Sequence, residues 1–160
     1  MSITVGDKLP EATFTVMDGG PKQVSSGDVF AGKRVALFAV PGAFTPTCSE
    51  HHLPGFIGHA DALKSKGVDL VACTAVNDVF VLDAWAKASG AEGVVTMLAD
   101  GSAAFAKALG LDVDLGPFGL GTRSKRYAMI VEDGAVKYLA IEDSPPEHSK
   151  ATAEKLLAAL

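Results

Sequence analysis

The period of the apolar positions changes several times along the chain. Thr13-Phe-Thr-Val-Met17 alternates with period two and runs into Asp18-Gly19, so a strand is expected there with a partner around Val24. Arg34 to Val40 is a continuous apolar run stopped by Pro41-Gly42, the pattern of a central strand covered on both faces. Leu53, Phe56, Ile57, Ala60 and Leu63 then recur at helical spacing up to Gly67, with Pro54 inside the pattern as an expected kink. Val68 to Thr74 predicts a second buried strand, and Asp78 a cap for a helix facing Leu82 and Trp85 inward. Val94 to Leu98 predicts a third strand and Asp100 to Leu109 a short helix stopped by Gly110. Residues 111–122, with Gly116, Pro117, Gly119 and Gly121, read as loop. Arg126 to Glu132, Asp133-Gly134 and Ala135 to Ile141 spell a hairpin with a preferred turn dipeptide. Ser144-Pro145-Pro146-Glu147 has the form of a capping box with proline at the first helical position, which predicts a C-terminal helix opening there. Strands alternating with helices, plus a hairpin, predict an α/β fold with a mixed central sheet flanked by helices.

Composition narrows the function classes. The 160 residues show no repeat, linker or low-complexity tract, so 1–160 is read as one domain. A hydrophobic share of 48% against 21% charged is enough to build a core without disulfides or metal. Fourteen basic residues against nineteen acidic give a net charge of −5, and the small cluster Arg123, Lys125 and Arg126 is too short to track a phosphate backbone, so no nucleic-acid partner is expected. Val35 to Phe44 is the most apolar stretch, far short of a membrane span, and the N-terminal residues lack the pattern of a secretion signal. No membrane association is expected. Two cysteines, Cys48 and Cys73, do not make a disulfide framework; reduced thiols and a cytoplasmic location are the expectation.

Chemistry concentrates in Val40-Pro-Gly-Ala-Phe-Thr-Pro-Thr-Cys-Ser-Glu50, where a buried strand hands over to a helix. Thr45-Pro46 reads as an N-cap followed by proline at N1, which puts Thr47 at N2 and Cys48 at N3. A sulfur there lies among the free backbone N–H groups at the positive end of a helix, a place that stabilises the thiolate. Position alone leaves two readings open, a reactive cysteine or a small buried residue at a helix start. The Thr45 hydroxyl can cap the helix or turn toward the sulfur or a substrate.

Pro41-x-x-x-Thr45-x-x-Cys48, extended to Pro-Gly-Ala-Phe-Thr-Pro-Thr-Cys-Ser, resembles the active-site motif of peroxiredoxins of the type II branch. His52-Leu-Pro-Gly-Phe56, Val76-Asn-Asp-Val-Phe80, Leu98-Ala-Asp-Gly-Ser102 and Gly119-Leu-Gly-Thr-Arg-Ser-Lys-Arg-Tyr127 extend the resemblance over most of the chain. It implies a thioredoxin-like fold and a thiol peroxidase that reduces hydrogen peroxide and organic hydroperoxides through a thiolate and sulfenic acid cycle, serving antioxidant defence. It implies Cys48 as the attacking sulfur, Pro41 as its shield from water, Thr45 as a hydrogen-bond partner of the peroxide, and Arg126 as the active-site arginine. The backbone N–H groups of Thr47 and Cys48 join Arg126 in stabilising charge on the leaving oxygen, and His52 is implied as a supporting hydrogen-bonding residue. No metal or organic cofactor is implied. Glutathione, glutaredoxin or thioredoxin is the implied electron donor, and a homodimer the implied assembly.

Other residues carry rival readings. Cys73, in an apolar strand, is read as an inert core thiol; the alternative is a resolving cysteine closing a loop back to Cys48. His51, His52, His59 and His148 lack the spacing of a metal site, and Arg123 reads as a surface or interface ion pair. Gly27 to Lys33 nearly spells a phosphate loop but precedes a strand instead of following one. A cysteine hydrolase would need His51 or His52 as base to Cys48. A disulfide oxidoreductase would need a cysteine where Thr45 stands. A thiol-based redox sensor or chaperone-like binding module with incidental peroxidase activity is the alternative function.

Overall fold

The computed structural model describes residues 2–160, and its elements follow the periodicities closely. In chain order they are β1 (Thr13–Met17), β2 (Pro21–Ser25), α1 (Ser26–Phe30), β3 (Arg34–Ala39), a π-helical turn (Cys48–His52) running into α2 (Leu53–Ser65), β4 (Leu70–Ala75), α3 (Val79–Ser89), β5 (Thr96–Ala99), α4 (Ala104–Leu109), β6 (Asp112–Asp114), a 3₁₀ turn (Gly116–Phe118), β7 (Thr122–Ser124), β8 (Tyr127–Glu132), β9 (Ala135–Ile141) and α5 (Ala153–Ala158). The main sheet runs β2-β1-β5-β4-β3-β8-β9. β3 pairs in parallel with β4 and β4 with β5, while β8 lies antiparallel to β3.

The unbroken apolar run of β3 follows from this central position. Ala36 and Phe38 face one core with α2, α3 and α5, which supply Phe56, Leu82, Trp85 and Leu156. Val35 and Leu37 face the other, where α1 and α4 supply Phe30 and Phe105. Every side chain from Val35 to Val40 is therefore covered, which is why no polar residue interrupts that stretch. Among the described residues no helix is long and apolar enough to cross a membrane.

The structure departs from the expectations at five points. Residues 111–122 are not a plain loop, because β6 and the start of β7 pair there as a small antiparallel ribbon. α1 was not anticipated, although its capping box is local: Ser25 Oγ accepts from the Asp28 N–H at 3.0 Å and Asp28 Oδ2 from the Ser25 N–H at 3.1 Å. Asp100 does not start α4; its carboxylate caps from outside, accepting the N–H of Phe105 at 3.0 Å and of Ala106 at 2.9 Å.

The fourth lies nearest the chemistry. No helix opens at Ser144. Residues 144–151 form an irregular strap, and α5 begins only after Thr152, whose hydroxyl accepts the Lys155 N–H at 3.1 Å. The backbone groups a helix at 144 would need are engaged elsewhere, as described below. Pro54 does not kink a regular helix either. It stands at the start of α2 just after the π-helical turn, where the Leu53 N–H bonds the Cys48 carbonyl five residues back. The wide turn accommodates the missing proline N–H.

Candidate active site

The turn after β3 is built around a glycine and a strained phenylalanine. A Cβ on Gly42 would stand 3.0 Å from Nη1 of Arg123 and 3.2 Å from Cγ2 of Thr45, so a side chain there would push both away. Phe44 sits in the left-handed region with φ 62°, a conformation that costs of order 1 kcal/mol for a residue other than glycine. Surrounding bonds hold the turn in place. The Ala43 N–H donates to Asn77 Oδ1 at 2.9 Å, and Arg123 donates to the carbonyls of Leu120 at 2.8 Å and Pro41 at 3.4 Å. Within the chain Arg123 is thus a loop tie, and no carboxylate of the described residues pairs with it.

Thr45 hands its hydroxyl hydrogen to the Gly42 carbonyl at 2.7 Å and does not cap the helix through that group. The first backbone bond of the helical turn runs from the Ser49 N–H to the Thr45 carbonyl at 2.9 Å. The N–H groups of Thr47 and Cys48 precede it, at the open positive end where counting from Pro46 puts them. The Thr47 hydroxyl donates to the Pro146 carbonyl at 3.2 Å, and Trp85 Nε1–H to Ser49 Oγ at 3.0 Å. These two bonds pin the turn that carries Cys48 to the strap on one side and to the core on the other.

Cys48 is 0% exposed, Pro41 earlier in the same turn is also buried, and Nη2 of Arg126 points at the sulfur from 3.0 Å. Arg126 precedes β8 by one residue and is itself buried, so its charge needs partners. Nε and Nη2 donate to the Pro145 carbonyl at 3.2 and 3.1 Å, and Nη1 donates to His52 Nδ1 at 2.8 Å. His52 Nε2 lies 2.7 Å from the Ala151 carbonyl, which can only accept. The ring therefore carries its hydrogen on Nε2 and offers Nδ1 as the acceptor. With both nitrogens engaged away from the sulfur, His52 cannot serve Cys48 as a base, which leaves the exposed His51 as the one remaining base of the cysteine-hydrolase reading.

The structure thus brings Cys48, Thr45, Pro41, Arg126 and His52 into one corner at the C-terminal end of β3. His148 joins them, its ring 5.0 Å from that of His52 and 6.2 Å from that of His51. His59 stands apart, one of its ring nitrogens 2.8 Å from the Gly55 carbonyl one helical turn back. Cys73 faces the same apolar core as Cys48 from β4, fully buried, and its thiol is pushed up by burial and the nearby Cys48 against the pull of Arg126. It is not part of the hydrogen-bonded cluster.

Burial pushes the His52 imidazole well below its ordinary value of 6.5, with the charges of Arg126 and His148 adding to the effect against the Ala151 bond. His148 moves down for the same first reason, then through Arg126, with Glu142 opposing. Both rings take up a proton less readily in the fold than in the unfolded chain, which is protonated below about pH 6.5. Stability is therefore fully present above that pH and falls as the pH drops through it, by up to about 1.4 kcal/mol per unit for His52 and less for the more solvated His148. Denaturation midpoints at pH 7.5 and 5.5 check this: the midpoint drops at 5.5, whereas equal midpoints would mean that His52 carries a proton in the folded protein.

Sequence reasoning missed three participants. The Pro145 carbonyl holds Arg126, the Glu142 carboxylate holds the strap, and Trp85 anchors the cysteine's neighbour. Only Trp85 had a local signal, as the lone tryptophan on an inward helix face.

The Redoxin family profile matches residues 4–157. Peroxiredoxin-2E, chloroplastic, of Arabidopsis thaliana is 48% identical, the alignment covering 99% of this chain and 70% of that one. Peroxiredoxin-2C of the same plant is 46% identical, covering 99% and 98%. The crystal structure of reduced Prx3 in complex with H2O2 from Vibrio vulnificus superposes with a TM-score of 0.93 at 53% identity, over 98% of this chain and 95% of that one.

Proposed function

The chain belongs to the redoxin family as a type II-like peroxiredoxin of thioredoxin-like fold, a thiol-dependent peroxidase, and from that premise we propose that Cys48 is the attacking sulfur and Arg126 the group that aims and stabilises the reaction. The observation that carries this reading is the 3.0 Å contact of Arg126 Nη2 with Cys48 Sγ, made by a guanidinium whose other donors to Pro145 and His52 leave it little freedom.

The thiolate attacks the near oxygen of the peroxide. A sulfur–oxygen bond forms, the O–O bond breaks, sulfur is oxidised by two electrons, and the leaving oxygen departs as hydroxide or alkoxide and takes a proton. Charge grows on that oxygen during the step. The Arg126 fork and the N–H groups of Thr47 and Cys48 lie where they can meet it, and they cost no reorganisation because the protein already holds them. Thr45 turns its hydroxyl from the Gly42 carbonyl to the peroxide. Pro41 keeps bulk water off the sulfur.

The sulfenic acid must then meet a thiol before more peroxide drives it further up the oxidation ladder. We assign that thiol to glutathione, with glutaredoxin or thioredoxin as protein donors. A mixed disulfide forms on Cys48 with release of water, and a second thiol frees the cysteine. Because Cys48 is fully covered, the donor reaches it only when the first turn lifts off. The turn is held there by few bonds, among them those of Thr47 and Ser49. A homodimer belongs to the same proposal; Phe44, Phe80 and Phe118 are large exposed apolar side chains of the kind a partner copy covers, and a monomer in sedimentation would remove that part. A cytoplasmic location, in which both thiols stay reduced, is likewise part of it, and subcellular fractionation tests it.

The test of the core reading is one equivalent of hydrogen peroxide added to the reduced protein, followed within seconds by trapping and peptide mapping. Oxidation appears on Cys48 and not on Cys73. Labelling confined to Cys73, or none on this timescale, would remove Cys48 from its role.

A further inference from the structure

The strap 144–151 bonds both Arg126, through the Pro145 carbonyl, and the turn of Cys48, through the Pro146 carbonyl, and that strap has an anchor. Glu142 follows β9 directly, and its own N–H bonds the Arg126 carbonyl at 2.9 Å. Its side chain is buried, and a single oxygen, Oε2, accepts three successive backbone N–H groups: Ser149 at 2.9 Å, Lys150 at 2.7 Å and Ala151 at 2.7 Å. The Ser149 hydroxyl stands 3.4 Å from Oε1. Converging N–H groups of this kind form an anion-binding concavity, which the carboxylate fills from within the chain. Burial pushes the Glu142 carboxyl up, but the bonds from Ala151, Lys150 and Ser149 and the nearby His148 outweigh it and hold the group below its ordinary value.

What the clamp orients is residue Ala151, whose two flanking peptides are bonded in opposite directions. Its N–H is fixed by Glu142, and its carbonyl receives the His52 Nε2 hydrogen at 2.7 Å. His52 in turn presents Nδ1 to Arg126, and Arg126 presents Nη2 to the sulfur. The same strap delivers the Pro145 carbonyl to two nitrogens of Arg126. Both routes to the guanidinium start from the fold of residues 144–151.

We propose that Glu142 is a positioning residue of the peroxide-reducing step: by clamping the N–H groups of residues 149–151 it sets the strap and His52, and through them the aim of Arg126 at Cys48. It touches neither substrate nor sulfur. A small misplacement of a catalytic group by a distant substitution costs up to about 10²-fold in rate, which sets the scale for losing the clamp.

The experiment measures the second-order rate constant for oxidation of Cys48 by hydrogen peroxide, by rapid quench and intact mass, in wild type, Glu142→Gln and Glu142→Ala. Folding is checked by circular dichroism at the assay temperature. Glu142→Gln keeps the shape and one acceptor but loses the charge, so it is expected to be slowed several-fold, and Glu142→Ala by about 10²-fold. The decisive arm repeats Glu142→Gln on an Arg126→Lys background. If Glu142 acts through the guanidinium, its effect there shrinks to less than about twofold, because the two changes are coupled. A purely structural anchor lowers the melting temperature and leaves the oxidation rate alone, or slows both backgrounds equally; either result overturns the proposal. Should Glu142→Ala fail to fold, the Glu142→Gln pair alone decides. The inference rests on Cys48 and Arg126 having the roles proposed above, and the two failures look different. Wild-type protein that is not oxidised at Cys48 sinks those roles, whereas normal wild-type oxidation with unchanged Glu142 variants sinks only this one.

Discussion

Cys48→Ser protein is expected to consume no peroxide above the uncatalysed rate, while Cys73→Ser protein keeps its turnover with glutathione-linked donors. The contrast follows from where the two sulfurs sit. Cys48 stands in the first helical turn, against a guanidinium and ahead of the first backbone bond, so it alone has groups that can meet developing negative charge. Cys73 lies in the middle of β4, paired on one side with Phe38 and on the other with Met97. Its thiol is pushed well up by burial, which removes the thiolate needed for nucleophilic attack. To resolve Cys48 internally, Cys73 would have to bring its Cα within roughly 7 Å of that of Cys48, in a geometry a disulfide tolerates, from a strand held on both edges. An outside thiol needs only the turn at Cys48 to open. Steady-state peroxide consumption with glutathione, glutaredoxin and thioredoxin, plus mapping of the glutathione adduct, measures both halves. A quantitative Cys48–Cys73 disulfide together with lost turnover in Cys73→Ser would reverse the assignment in favour of an internal resolving cysteine.

Arg126→Ala is expected to slow peroxide reduction by roughly 10²–10³-fold, the scale for removing one preorganised donor from a developing oxyanion. Arg126→Lys recovers little of this, because an ammonium cannot hold the Pro145 carbonyl, His52 Nδ1 and the sulfur at once. The alanine variant also leaves the Pro145 carbonyl and His52 Nδ1 without their donor, so its folding must be checked beside its rate. Thr45→Val is expected to act in the same direction. Its hydroxyl can exchange the Gly42 carbonyl for a peroxide oxygen, and valine keeps the volume without it. Single-turnover oxidation of Cys48 in each folded variant is the measurement. Rates within a few-fold of wild type would show that other groups stabilise the leaving oxygen.

Much of the fold was readable from short-range pattern. β1 and β9 fall where alternation and the Asp133-Gly134 turn predict them, and Asp78 caps α3 through the Val81 N–H at 2.9 Å, as a residue of its type ahead of an apolar helix should. Cys48 at the start of a helix, and Arg126 at the start of a strand, were visible for the same reason. The misreading at Ser144 has an equally physical cause. Ser-Pro-Pro-Glu is a sound local helix start, but the Pro145 carbonyl is claimed by Arg126, and Glu142 takes the N–H groups just beyond. Tertiary partners outbid a capping box that offers only a few tenths to a couple of kcal/mol.

The sequence by itself therefore determined the alternation of strands and helices, the two-sided burial of β3, and the placing of one cysteine at a helix's positive end. Each of those depends on neighbours within about a turn of helix or a few residues of strand, the range over which hydrophobic period and capping act. Which groups surround that cysteine was decided by the tertiary structure alone. Arg126 meets Cys48 across 78 residues of chain, and His52 meets Ala151 across 99. No local period encodes such contacts. They arise because β8 pairs beside β3 and the strap then folds back over the sheet's end, so that buried polar groups with no water to turn to are left with only one another as partners.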